Sequence, residues 1–286
     1  MQAKEVSQER EKTGNARALG PGKGAGLKKL FGSQERMAVG AIAVLAFLGG
    51  WEVLVTYLRV IDPLFVSSPS LILVAARDLI VSGELFRHAG VTLQNLSLGF
   101  ILAAFVGTFA GVLMGRMKYL DYAGSPFVDA LNSVPRIAFL PLIIIWFGIG
   151  MWSKVVLVFL GAVFPVLINA YEGVRGTDPK LIEAAKAYGA TEKDIFFKVV
   201  FQASIPFIVA GLRQGIGRAL ISVVVAEFFA SNAGLGYLIQ FSGATFRTGQ
   251  LFVAVLVIAL FGILATYGMR AGERKIAPWL HERHAE

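Results

Sequence analysis

Long apolar runs, each about the length needed to cross a bilayer, alternate along this chain with short polar segments rich in Lys and Arg. A hydrocarbon core about 30 Å thick is crossed by roughly 20 residues of helix. That length predicts membrane-spanning helices over about 37–57, 92–114, 126–147, 152–170, 207–229 and 251–269. Trp51 and Tyr57 close the first span as interfacial aromatic anchors. The third is interrupted by Pro135 and Pro141 and carries Arg136, and the fifth carries Arg213, Arg218 and Glu227. The fold class that follows is an all-α polytopic membrane protein with about six transmembrane helices.

The segments between spans have their own signals. Residues 61–89 are too interrupted by Pro69, Arg77, Asp78 and Glu84 to cross, and they predict an external interfacial helix. Ser68 caps it, Pro69 takes its first position and Gly83 stops it. Residues 1–36 are polar and Gly-rich with eight Lys/Arg, which predicts a disordered basic tail. The apolar run starting near Met37 is long enough to be an anchor and not a signal peptide. Residues 37–270 form the transmembrane domain, and 271–286 are a polar C-terminal tail. With the basic tail inside, the segments 1–36, 115–125, 171–206 and 270–286 hold nineteen Lys/Arg. The outer segments hold Arg59, Arg77, Arg87 and Arg247, with Lys154 near a boundary. The positive-inside rule then places both termini in the cytoplasm.

Composition narrows the chemistry. Only 16% of the 286 residues are charged and 56% are hydrophobic, against about 25% charged in soluble domains. There is no cysteine and there are three histidines, so thiol catalysis and a His/Cys metal site are excluded. The net charge of +8 is accounted for by the loops on one side of the membrane and does not point to nucleic acid. No G-x-x-x-x-G-K-[ST] occurs, and the Gly-rich stretch from Gly20 to Gly24 lacks its spacing. The chain is expected to carry no catalytic residue, no metal and no cofactor of its own.

The most informative connection is 171–206. Asp178 and Pro179 start a short helix that runs to about Tyr188 and ends at Gly189; Thr191 then opens a second helix in a capping box with Asp194, and the loop ends at Pro206. Glu183-Ala184-Ala185, flanked by Leu181, Ile182 and Tyr188, joins one charge to small side chains that permit close approach. Such a helix fits a groove on another protein; the alternative is a connector packed on its own bundle.

Glu183-Ala184-Ala185-x-x-x-Gly189, placed in the penultimate inner loop of a six-span chain, resembles the EAA loop of binding-protein-dependent ABC importer permeases. The resemblance runs from about residue 40 to 270. It is closest to the nitrate/sulfonate/taurine-type branch through Val134-Pro135-Arg136, Leu140-Pro141-Leu142, Trp146-Phe147-Gly148-Ile149-Gly150, Gly211-Leu212-Arg213, Ala226-Glu227 and Gly234-Leu235-Gly236. The chain departs from the loop pattern at Gln202, where proline is usual, and Pro206 is expected to take over the bend. The resemblance implies a type I ABC importer permease in a bacterial inner membrane. Glu183, Ala184, Ala185, Tyr188, Gly189 and Ala190 would form the coupling helix that couples this chain to a cytoplasmic ABC ATPase dimer. ATP and Mg would sit on that ATPase, a second copy of the permease would complete the pore, and an extracytoplasmic substrate-binding protein would deliver a small organic or inorganic anion.

Charged residues and broken helices inside spans are candidates for the pathway. Here they are Pro135, Arg136, Pro141, Arg213 and Glu227. The structural alternatives are pairing, such as Arg136 with Asp129, or snorkelling of Arg213 and Arg218. Gly107, Gly111 and Gly115, and Gly211 and Gly215, give small-residue stripes for internal helix packing or for a dimer interface. An ATP-independent secondary transporter or channel would require an internal repeat and coordinating acids in several spans, and a membrane enzyme a cluster of catalytic groups. The sequence shows none of these.

Overall fold

The computed structural model describes residues 24–276, all of its regular elements being helical. Two units divide the chain, one ending at Ile61 and the other beginning at Asp62. The first holds helix α1 (Gly24–Glu52), which continues as a wider π turn over Val53–Tyr57. Its apolar side chains, Val39, Leu45 and Phe47 among them, are exposed as a lipid-facing span requires. The helix starts at Gly24, so the polar tail does not extend to residue 36 as expected. Once the apolar run is helical, adding residues such as Leu27, Lys28, Lys29 and Leu30 costs little. Residues 1–23 of the expected tail, and 277–286 at the other end, lie outside the described residues.

The second unit opens with α2 (Pro69–Val81), started as its sequence predicts. Ser68 Oγ accepts the Leu71 N–H at 3.4 Å, and Gly83, at φ +76°, ends the element. Helix α3 (Glu84–Arg116) begins at once, so 84–89 belong to the second span and not to an interfacial helix. Helix α4 (Lys118–Ser133) also starts early, inside the stretch expected to be a cytoplasmic link. It stops before Pro135, which holds Val134 extended at ψ 132°. A single 3-10 turn (Arg136–Phe139) leads into α5 (Leu140–Phe147), and α4 and α5 meet at a 92° bend. Pro141 breaks nothing: it occupies the first turn of α5, where no amide donor is needed.

Helix α6 (Met151–Arg175) is the centre of the unit, and its residues are buried along most of its length. After α7 (Pro179–Ala187) comes α8 (Glu192–Phe229), which includes a π turn at Ile195–Val200. Neither Gln202 nor Pro206 breaks the chain: the helix capped by Thr191 runs on through Pro206, so the second loop helix and the fifth span are one continuous element. Helix α9 (Leu235–Ala244) was not foreseen, and α10 (Thr248–Ile276) is the last span. Among the described residues five helices are long and apolar enough to cross a membrane, and six when the bent α4–α5 pair counts as one.

The glycine stripes settle on internal packing. On α3, a Cβ at Gly107 would stand 3.0 Å from Val166 Cβ, and one at Gly111 2.8 Å from Ala170 Cβ. On α8, a Cβ at Gly211 would stand 2.8 Å from Asn169 Cβ and one at Gly215 2.9 Å from Val166 Cγ2. Helices α3 and α8 therefore both close on α6 at backbone distance, with Val158, Ala162, Ala219 and Val223 buried in the core that the three share.

A candidate coupling helix and an intramembrane cavity

Helix α7 is closed at both ends by its own residues. Asp178 Oδ1 accepts the Lys180 N–H at 2.9 Å, with Pro179 at the first position. At the other end Gly189 adopts φ +80°, and the N–H groups of Gly189 and Ala190 return to the carbonyls of Lys186 and Ala185 at 2.9 and 3.0 Å. Thr191 and Asp194 then form the expected capping box: Thr191 Oγ1 accepts the Asp194 N–H at 3.2 Å, and Asp194 Oδ2 the Thr191 N–H at 3.3 Å. Lys186 reaches Glu192 across the Gly189 turn at 3.5 Å. The result is a rigid helical knuckle. Glu183, Ala184 and Gly189 are exposed, Ala185 and Ala190 are half-buried, and Tyr188 is 93% exposed. Among the described residues Glu183 makes no ion pair.

The knuckle stands at the end of the unit where α3, α4 and α6 are tied together. Asp121 receives hydrogen bonds from Arg175 and from Ser125, the latter at 2.7 Å, and Arg175 also bonds the Tyr171 hydroxyl at 3.0 Å. The Arg116 guanidinium lies 4.1 Å from the centroid of Phe196, within the π turn of α8.

Within the membrane-spanning body, the break at Pro135 places Arg136 on the wall of a cavity of about 240 Å³. Arg136 does not pair with Asp129, the sequence alternative. Its Nη2 donates to Asn132 Oδ1 at 2.6 Å and more weakly to the Asn132 carbonyl at 3.4 Å. Its Nε is buried without a hydrogen-bond partner. Pro135 shares the wall, as does Arg218, for which snorkelling is the structural alternative. Pro141, Arg213 and Glu227 do not line it.

Glu227 is placed elsewhere by a network of its own. It is fully buried; Oε2 accepts from Thr92 Oγ1 at 2.8 Å and from the Gly236 N–H at 2.9 Å, and Oε1 accepts from Asn95 Nδ2 at 3.3 Å. Thr92 Oγ1 also accepts the Leu235 N–H at 2.7 Å, and His88 Nδ1 accepts the Gly234 N–H at 3.0 Å. Helix α3 thus fastens the start of α9 to the end of α8 through one face (His88, Thr92, Asn95). The two glycines are required: a Cβ at Gly234 would collide with the Glu227 carboxyl, and one at Gly236 would stand 2.7 Å from the Val224 carbonyl. Lys154, expected near an outer boundary, is buried and donates to Ser231 Oγ at 2.9 Å in the same loop. The i, i+4, i+7 spacing of His88, Thr92 and Asn95 was the available sequence signal for this latch.

The chain is similar to known proteins in sequence and in fold. The family described as "Binding-protein-dependent transport system inner membrane component" matches residues 93–278. A putative aliphatic sulfonates transport permease protein, SsuC of Bacillus subtilis, is 35% identical over 238 residues, covering 83% of this chain and 84% of that protein. The taurine transport system permease protein TauC of Escherichia coli is 32% identical over 251 residues, covering 86% and 90%. A structure of the MetNI methionine ABC transporter in inward-facing conformations superposes with a TM-score of 0.58 at 20% identity, covering 67% of this chain and 95% of that one. That last likeness is one of fold.

Proposed function

The chain belongs to the family of binding-protein-dependent transport system inner membrane components, and we propose that it works as the membrane-spanning half of an importer driven by ATP hydrolysed on a separate subunit. The observation that carries this reading is α7: a helix capped by its own sequence, with Glu183, Ala184 and Tyr188 presented to solvent beside a glycine at φ +80°. Small side chains at Ala184 and Ala185 let another backbone come close, and Glu183 offers an unpaired charge. In this reading α7 is the coupling helix, seated in a cleft of a cytoplasmic ABC ATPase dimer that binds ATP and Mg. Closure of the ATPases moves α7, and the spans behind it pass from inward- to outward-facing as a body. A second copy of the chain completes the pore, both termini lie in the cytoplasm, and a binding protein delivers solute to the outer face.

The solute is a small anion, consistent with the sulfonate and taurine permeases among its relatives and with Arg136 on a cavity wall beside Pro135. Pro141, Arg213 and Glu227 leave the pathway in this reading, because they stand away from that wall. A photo-reactive residue at Ala184 in the intact complex tests the coupling role. The expected product is a covalent adduct with the nucleotide-hydrolysing subunit. Labelling of Ala184→Cys by a membrane-impermeant thiol reagent from outside the cell would refute it.

A further inference from the structure

The cavity beside the Pro135 break is walled by Arg136, Arg218 and Ser222 on its polar side and by Leu157, Ile221 and Val225 among its apolar residues. No acidic residue lines it. Neither arginine makes an ion pair among the described residues, and the hydrogen bonds of Arg136 there go to the neutral Asn132. Arg136 is partly buried and lies 5.8 Å from the Phe164 ring centroid, and Arg218 is exposed; an arginine keeps its charge, so two positive charges share one wall that carries no carboxylate to offset them. A second observation is independent of the charge count. Arg136 Nε, one tine of the fork with which arginine grips a planar or tetrahedral oxyanion, is buried and has no partner. A water molecule would satisfy that N–H but would leave both charges uncompensated. The rest of the lining is largely aliphatic, and Gly161 of α6 lets that helix close on Ser222 of α8, a Cβ there standing 3.0 Å from Ser222 Cβ.

We propose that this cavity is a binding site within the permease itself for an oxyanion bearing a short apolar substituent, its head held by Arg136 and Arg218 and its substituent lying against Leu157, Ile221 and Val225. The proposal deepens the anion reading of the previous section, but the site is defined without reference to the ATPase or to a binding protein. Both a transported organic oxyanion and the phosphate of an anionic lipid carry this chemistry.

The test uses the full-length chain in phosphatidylcholine nanodiscs, with no ATP and no binding protein, and radiolabelled butane-1-sulfonate as the probe. Saturable binding is expected, weakened about tenfold or more in Arg136→Met and in Arg218→Met. Inorganic sulfate, which lacks the substituent, should compete less well than unlabelled butane-1-sulfonate. The variants Arg136→Lys and Arg218→Lys keep the charge and lose the fork, so a folded protein with intermediate affinity separates recognition from misfolding. In discs that contain phosphatidylglycerol, unchanged affinity identifies a soluble oxyanion as the occupant. Loss of probe binding there, with phosphatidylglycerol retained after delipidation by the wild type but not by the methionine variants, identifies the lipid phosphate. Absence of saturable binding in both disc types together with no arginine-dependent lipid retention, or equal affinity in the wild type and both methionine variants, overturns the site. Failure of the Ala184 adduct would sink the coupling role and leave this measurement standing, and the reverse also holds.

Discussion

Replacing Glu227 distinguishes a latch from a pathway residue. In Glu227→Leu the Thr92 hydroxyl, the Asn95 amide and the Gly236 N–H lose their common acceptor in a site closed to solvent. A buried donor left without a partner costs about 1–3 kcal/mol. Interhelical hydrogen bonds in membrane proteins average nearer about 0.6 kcal/mol, because the unfolded chain also finds partners. Three lost bonds therefore destabilise by about 2–9 kcal/mol. Glu227→Gln behaves differently. Its carbonyl oxygen can occupy the Oε2 position and keep both Thr92 and Gly236, and its amide then faces Asn95, which needs only a 180° turn to present an oxygen. The expected cost is below about 1 kcal/mol. With a midpoint shift of about 2–4 °C per kcal/mol, thermal unfolding of the purified protein should show Glu227→Leu at least about 4 °C below wild type and Glu227→Gln close to it. Uptake should follow stability. If Glu227→Gln unfolds like wild type but loses transport, or if Glu227→Leu keeps the wild-type midpoint, the latch reasoning is wrong.

Gly189→Val meets no neighbouring atom, yet it forces a β-branched residue to φ +80° at a backbone cost of about 1–2 kcal/mol. Uptake per ATP hydrolysed should fall while membrane insertion is unchanged, and Gly189→Asn should retain coupling; full coupling in the valine variant counts against α7 as the lever. Gly111→Leu drives a side chain into Ala170 and should cost about 1–3 kcal/mol in thermal stability. Gly50→Leu, on an open stretch of α1, should not, and equal midpoints for the two would refute the close α3–α6 contact. Arg116→Leu removes the cation over Phe196, worth about 0.5–1 kcal/mol, and should lower transport per ATP, with Arg116→Lys intermediate; a ratio equal to wild type would exclude that contact from coupling.

What could be read from the sequence was what depends on neighbours along the chain. The spans follow from run length against bilayer thickness, and the caps at Ser68, Asp178 and Thr191 and the stops at Gly83 and Gly189 follow from the conformations those residue types favour. Helices continue past the apolar runs at Gly24, Glu84 and Lys118, where polar residues extend the element and hydropathy does not register them. The two prolines of the third span looked equivalent, but only Pro135 stands where a helix would have needed its donor. The spacing of His88, Thr92 and Asn95 marks one face of the latch and the Pro135 break one wall of the cavity, but their partners were out of reach. Glu227 meets Thr92 and Asn95 across 135 and 132 residues, and Arg218 meets Arg136 only because the Pro135 break turns the chain toward α8. No local pattern encodes such a meeting.

The same long-range contacts bear on how force at α7 would reach the outer side. Helices α3 and α8 are joined near both ends: Arg116 lies over Phe196 at one, and Thr92 and Asn95 hold Glu227 at the other. Between these points α6 touches both at glycine distance, with backbone atoms of α6 such as the Ala162 carbonyl, 3.3 Å from a Cβ placed at Gly215, in the contact. A helix held this way cannot absorb a displacement by sliding on its neighbour, since each glycine contact admits one register and side chains close it on either side. Displacement of α7 is then passed to α3, α6 and α8 together. The loop at Ser231–Gly236, fastened to this group by Lys154, Glu227 and His88, moves with it. The 92° break between α4 and α5 interrupts the helical hydrogen bonding beside the Arg136 cavity, which makes it the place where the body can change shape without breaking a packed interface. Under the proposed coupling role, the motion that α7 delivers would therefore be expressed at the wall carrying the two arginines.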